Sequence, residues 1–256
     1  MTAILEAFSL DRKVAVVTGA ARGLGRGMAA ALAQAGADIV GVSQVPDAPE
    51  TEAAVQAAGR RYLHVQADLA SIEPVQRIVQ SAIQAFGRID ILVNNAGTIV
   101  RNDSLDFTEQ QWDAVMNVNL KTAFFLCQAV ARRFLAQGGG GKIINIASML
   151  SFQGGIRVPS YTASKSGIRG LTMLLANEWA AHGICVNAIA PGYMATDNTA
   201  QLRADPQRSA DILGRIPAGR WGRPEDLQGA VVFLASGASD YIHGTTLAVD
   251  GGWLAR

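Results

Sequence analysis

The sequence predicts a single α/β domain built as a doubly wound parallel sheet with helices on both faces. Short apolar runs such as Val14-Ala15-Val16-Val17-Thr18 alternate with longer amphipathic stretches, the pattern of strands covered on both sides by crossover helices. The 256 residues, 49% of them apolar, suffice for one full core. No repeat or low-complexity linker breaks the alternation, so residues 1–256 read as one unit.

The first strand, over 14–18, ends in glycines and leads into an Ala-rich helix over 24–35. A strand over 38–42, a helix over 49–58, a strand over 62–66, a helix over 72–86 and a strand over 89–94 follow. Thr108 with Gln111 makes a capping box at the head of a long segment running to Ala136, which the glycines at 138–141 stop. A strand over 142–146, a helix over 161–182 and a strand over 184–189, bounded by Pro191-Gly192, continue the alternation. Right-handed crossovers leave ligands at the carboxyl ends of the strands, near the switch in strand order. Residues 192–219 are polar, contain Pro206 and lie just beyond a strand's carboxyl end, where a segment can fold over a substrate as a lid.

Net charge is +1 and the charges are dispersed, so no basic stripe points to nucleic acid. A small-molecule partner is expected. Cys127 and Cys185 sit in apolar runs, as buried thiols of a reducing compartment do. His64, His182 and His243 lack ligand spacing, so no metal is expected. The first nine residues lack a signal-peptide pattern and no apolar run reaches membrane-spanning length, which reads as a cytoplasmic chain without a membrane partner.

Two motifs carry chemistry. Thr18-Gly19-Ala20-Ala21-Arg22-Gly23-Leu24-Gly25 joins the first strand to the first helix, where glycines let the backbone approach a pyrophosphate held by helix N-terminal amides. Three residues rather than one stand between its first two glycines, so an ordinary strand-to-helix turn stays open on spacing alone. Ser148, Tyr161 and Lys165 form a proton-transfer set. Tyr161 and Lys165, four apart, share a helix face, and a cation there is expected to favour the phenolate. The Ser148 hydroxyl can add a hydrogen bond to an oxygen on which charge develops.

Together the glycine loop, Asn94-Asn95-Ala96-Gly97, Asn119, Ser148, Tyr161, Lys165 and Pro191-Gly192 resemble the short-chain dehydrogenase/reductase family over nearly the whole chain. The resemblance implies a Rossmann-like domain that both binds a dinucleotide and performs catalysis. It implies that Tyr161 is the general acid or base, that Ser148 orients the carbonyl, that Lys165 also bonds the nicotinamide ribose, and that Asn119 holds a relay water. Cofactor contacts carried over residue by residue are Gly19, Arg22, Gly23, Leu24, Gly25, Ser43, Asp68, Leu69, Asn95, Ala96, Gly97, Tyr161, Lys165, Pro191, Gly192, Met194 and Thr196, with Asp68 at the adenine.

NAD-preferring members end the second strand with an acid, and that place holds Ser43, followed by Gln44. Arg22 is a candidate partner for a 2′-phosphate, and Asp47 would repel one. The closer resemblance below favours NAD(H), with NADP(H) open.

Residues 143–167, 177–180, 187–196, 215–222 and 249–256 resemble sugar acid dehydrogenases within the family. The implied reaction interconverts 2,5-diketo-3-deoxygluconate and 2-keto-3-deoxygluconate in pectin and hexuronate breakdown. A carboxylate substrate gains from an arginine clamp, for which Arg101 and Arg157 are candidates; Gln153, Tyr193 and Met194 are candidate pocket residues and equally candidates for packing. Trp179 and Trp221 read as packing residues. Reduction of 3-oxoacyl groups on a carrier protein, a neutral polyol or ketose dehydrogenase, and a nucleotide-binding regulator without turnover are the alternatives. The first predicts a basic docking patch that the sequence does not show. Family resemblance also implies a homotetramer formed through two long helices and the C-terminal segment.

Overall fold

Val, Ile and Leu dominate seven short segments, and in the computed structural model, which describes residues 2–256, these segments form one parallel sheet. The strands are β1 (Val14–Thr18), β2 (Asp38–Ser43), β3 (Tyr62–Gln66), β4 (Ile91–Asn94), β5 (Gly141–Ile146), β6 (Ile184–Pro191) and β7 (Thr246–Val249), in the order β3-β2-β1-β4-β5-β6-β7. The helices are α1 (Ala3–Glu6), α2 (Gly23–Gln34), α3 (Pro49–Ala57), α4 (Val75–Phe86), α5 (Glu109–Met116), α6 (Thr122–Ala136), α7 (Pro159–Trp179), α8 (Ala200–Ala204), α9 (Pro206–Arg215) and α10 (Gln228–Ala235).

Alternate residues of β1 feed opposite layers of the core. Val14 and Val16 pack in the layer of α4, α6 and the end of α7, with Ile78, Val130 and Phe134. Ala15 and Val17 face α2 and α10, with Met28, Leu32 and Val231. The chain runs outward from β1 to β3, then crosses to β4, so the sheet's switch lies between β1 and β4. A crevice opens at their carboxyl ends.

Most predicted elements appear within a residue or two. The helix predicted over 72–86 starts at Val75, because Pro74 stands at its N-cap. The strand predicted over 89–94 starts at Ile91; Asp90 instead accepts hydrogen bonds from Val14 N and the Arg88 guanidinium. Thr108 and Gln111 form the predicted capping box, with reciprocal bonds of 3.2 and 3.0 Å. The long segment after it is α5 and α6 joined by a π-helical turn over Asn117–Lys121, which inserts Asn119 into the buried interior. Strand β7 and helix α10 are absent from the sequence reading.

One expectation needs correction. The continuous helical stretch Glu109–Ala136 is 28 residues long with mean hydropathy 1.2 in its most apolar window, enough by length and composition to cross a membrane. Half of that window is buried inside the protein, as in a core helix. Both cysteines are free and buried, and burial pushes the Cys127 thiol up to about 12.

Candidate active site

The glycine loop shapes one wall of the crevice. Gly19 and Gly23 take φ of +66° and +56°, left-handed values that glycine adopts freely. A Cβ on Gly25 would fall 2.1 Å from the Gly19 carbonyl oxygen and 2.5 Å from Asn95 Nδ2, so loop, helix and Asn95 close on one another only because it is glycine. Thr18 Oγ1 accepts from the amides of Asn95 and Ala96, and Asn95 Nδ2 donates to the Thr18 carbonyl at 2.8 Å. Helix α2 begins at Gly23 and points its first amides at the crevice.

The crevice has a volume of about 610 Å³ and is lined by Gly19, Arg22, Gly23, Leu24, Gly25, Ser43, Leu69, Asn95, Ala96, Gly97, Ser148, Tyr161, Lys165, Pro191, Gly192, Met194 and Thr196 among others. Residues from the glycine loop, β2, the loop after β4, β5, α7 and β6 thus meet in one space. Asp68 lies between the lining residues Ala67 and Leu69 and does not itself line it; it accepts from Gln44 Nε2 at 2.7 Å and from Ala70 N at 2.9 Å, which holds its carboxyl below the usual range.

These residues fit a nicotinamide dinucleotide. Gly19 and Gly25 pack so tightly on Asn95 and on each other that only backbone faces the crevice there, as a pyrophosphate would need, and the Ser43 hydroxyl is buried without a protein partner at the end of β2, where a ribose would need one. Across the crevice Arg22 Nη1 lies 3.4 Å from Asp197 Oδ2, linking the glycine loop to the segment after β6.

The reacting end is built from β5 and α7. Ser148 follows β5 and is buried; its Oγ accepts from Leu150 N at 3.1 Å. Pro159 opens α7, which carries half-buried Tyr161 and fully buried Lys165 on its first turns. Lys165 Nζ donates to the Ile146 carbonyl at 2.6 Å and stands 5.6 Å from the Tyr161 ring centroid. Burial pulls its pKa down to about 8.

Tyr161 departs from expectation. Burial raises its pKa, opposed by the Ser148 hydrogen bond and then by the Arg101 charge. Arg101 is the cation that counters burial of this phenol, and the Lys165 ammonium is directed at a main-chain carbonyl. The Asn119 side chain holds both the N–H and the carbonyl of Thr98, at 2.8 and 2.9 Å, and donates to Ser164 Oγ at 3.2 Å. Ser164 in turn donates to the Tyr161 carbonyl at 2.9 Å.

The four tentative substrate residues outside the proton-transfer set do not line the crevice. Arg101 Nη2 donates to the Asn198 carbonyl at 3.1 Å. Arg157, at φ +63°, pairs with Asp103 at 3.1 Å, so its charge is already matched. Gln153 accepts from Arg215 at 3.4 Å. Tyr193 packs edge-on against Trp221 and Trp253, with centroids 5.5 and 4.8 Å away. That cluster, with Met149, Ile212 and Ile216, seats α9 beside the catalytic turn. Trp179 packs against the other core layer.

The sequence reading passed over Thr18, Ser151, Ser164 and Asp197. Ser151 had a readable signal, since a hydroxyl three residues after Ser148 is a capping pattern.

Residues 19–254 match a family model described as enoyl-(acyl carrier protein) reductase. The chain is similar to 2-dehydro-3-deoxy-D-gluconate 5-dehydrogenase of Escherichia coli (strain K12), 67% identical over 99% of this chain and 100% of that protein. It is also similar to the enzyme of the same name from Dickeya dadantii (strain 3937), at 64% identity over 99% and 100%. Among solved structures it resembles a gluconate 5-dehydrogenase from Burkholderia cenocepacia J2315 in complex with NADP and tartrate, with 40% identity, 99% of each chain covered and a TM-score of 0.94.

Proposed function

The chain belongs to the short-chain dehydrogenase/reductase family, and from that premise we propose that it interconverts 2,5-diketo-3-deoxygluconate and 2-keto-3-deoxygluconate. A keto sugar acid oxidoreductase dependent on a nicotinamide cofactor is what the relatives support at the coarser level. The observation that carries the finer reading is the full-length 67% identity to a dehydrogenase of that substrate.

A nicotinamide dinucleotide held by the glycine loop and the crevice residues would supply the hydride chemistry. The chain's own groups manage the oxygen and its proton. Leu150 N–H occupies an acceptor site on Ser148 Oγ, which leaves the serine proton to be donated to the substrate oxygen. Tyr161, held protonated by burial, gives its phenolic proton to that oxygen in reduction and takes it back in oxidation. Lys165, with a pKa near 8, keeps a positive charge beside the phenol at neutral pH. It therefore stabilises negative charge developing there.

Ser43 puts no carboxylate at the end of β2, so the reading covers NAD(H), favoured by the sequence, and NADP(H), which the related Burkholderia structure contains. Exposed Trp112, Met173 and Leu174 on α5 and α7 support association with further copies, read here as a homotetramer in the cytoplasm. Sedimentation velocity tests the assembly.

The deciding experiment measures NADH and NADPH oxidation with diketo sugar acids, neutral ketoses and 3-oxoacyl thioesters. Preferred turnover of a diketo acid is expected. Preferred turnover of a thioester or a neutral ketose sinks the reading.

A further inference from the structure

We infer that Ser151 is a positioning residue that sets Ser148 against Tyr161 and Lys165, an assignment that rests on the carbonyl chemistry proposed above. Ser151 is 6% exposed and does not itself line the crevice, though it bonds two residues that do. Its hydroxyl joins two pieces of the catalytic set that the chain itself connects only loosely. Oγ accepts from Ser148 N at 3.3 Å and donates to the Lys165 carbonyl at 2.6 Å.

The need for such a tie follows from the connection. Between the turn at 149–151 and the start of α7 the chain runs through Gly154, Gly155 and Arg157, most of it exposed, with Ile156 80% exposed and Arg157 at φ +63°. A loop of that kind does not fix a distance to a fraction of an ångström. Lys165 is instead gripped at both ends, its ammonium by the Ile146 carbonyl and its main-chain carbonyl by Ser151. Ser166 Oγ adds a longer contact of 3.5 Å to the Leu150 carbonyl.

The reciprocal cap also orients the catalytic serine. Ser148 Oγ accepts from Leu150 N while Ser148 N donates to Ser151 Oγ, so backbone and hydroxyl of Ser148 are set together. Removing the Ser151 hydroxyl frees the Ser148 amide and loosens the turn on which the serine's outward proton depends. A misplacement of about 1 Å at such a site costs about 100-fold in rate.

The test is a double-mutant cycle of Ser151→Ala and Ser148→Ala, with Ser151→Thr and Ser151→Cys as conservative variants. Substrate is whichever carbonyl compound the unsubstituted enzyme reduces fastest, so failure on sugar acids counts against the functional reading alone. Ser151→Ala is expected to lower kcat about 10- to 100-fold, with KM changed less than about 3-fold and NADPH affinity by fluorescence titration unchanged. At least one of the two conservative variants should recover most of the rate. In the Ser148→Ala background Ser151→Ala should cost little further, because it acts through Ser148. Multiplicative losses, unchanged kcat in Ser151→Ala, or an NADPH affinity that falls in step with the rate would each overturn the assignment.

Discussion

Lys165 directs its ammonium to the Ile146 carbonyl, 2.6 Å away, while standing 5.6 Å from the Tyr161 ring centroid. The lysine is thus anchored to the sheet with its charge held near the phenol. Its depressed pKa, about 8, makes it a group that stays charged at neutral pH and that folding discharges only between about pH 8 and 10.5.

That has a signed consequence for stability. Between about pH 8 and the unfolded lysine value of about 10.5, the unfolded chain binds the extra proton, so the Lys165 contribution rises with pH across this window. Below pH 8 its cost is constant. Comparing urea unfolding of the unsubstituted chain with Lys165→Met, the difference should move in favour of the lysine by about 3 kcal/mol from pH 8 to pH 10.5. A pH-independent difference contradicts this.

Tyr161→Phe should lower kcat by about 100- to 10,000-fold, the range of a lost general acid or base. NADPH binding by fluorescence should persist, because most crevice residues lie elsewhere. Normal turnover in this variant removes Tyr161 from the mechanism.

Arg101 and Arg157 separate cleanly. Arg101 is the charge that helps hold the Tyr161 phenol down, whereas Arg157 is paired with Asp103. Arg101→Ala should shift the pH profile of alcohol oxidation upward and raise KM for acidic sugars about 10-fold, roughly the loss of one charge-assisted bond. Arg157→Ala should change KM less than about 3-fold. The reverse ranking in steady-state kinetics would transfer the carboxylate to Arg157.

Arg22 and Asp197 meet across the dinucleotide crevice. Asp197→Asn frees the guanidinium and should tighten NADPH relative to NADH; Arg22→Ala should weaken NADPH more than NADH. Paired fluorescence titrations at low and high salt check both, since exposed pairs are screened. Equal effects on the two dinucleotides would exclude Arg22 from 2′-phosphate recognition.

Gly25→Ala tests the cradle. Its new Cβ meets the Gly19 carbonyl and Asn95, so dinucleotide affinity should fall at least about 10-fold while circular dichroism still reports a folded α/β chain. Unchanged affinity would mean that the loop is not the pyrophosphate site.

Much of this was legible because parallel strands buried on both faces are continuous apolar runs, and β1, β2 and β6 stand out as such. Helix α10 escaped because Gly229-Ala230-Val231-Val232-Phe233-Leu234-Ala235 is apolar all round and has no period to read. Strand β7, four half-exposed residues, was too short. At the site, the motif residues lining the crevice were readable as types and spacings. Their partners were not: a main-chain carbonyl for Lys165, Asp103 for Arg157 and the Asn198 carbonyl for Arg101 depend on three-dimensional approach and leave no mark on local sequence.

The π turn at Asn117–Lys121 makes this stretch intolerant of changes in chain length. Deleting one residue there would restore a regular helix and remove the local irregularity, a change that looks benign. The wider π turn takes up its extra residue at nearly the rotation of a regular α turn, so α6 would keep its orientation relative to α5 while the bulge that carries Asn119 is lost. Asn119 would leave Thr98 and Ser164, so the buried bonds that join this turn to α7 would be lost. Among descendants of this gene, substitutions between Asn117 and Lys121 should be found far more often than gaps.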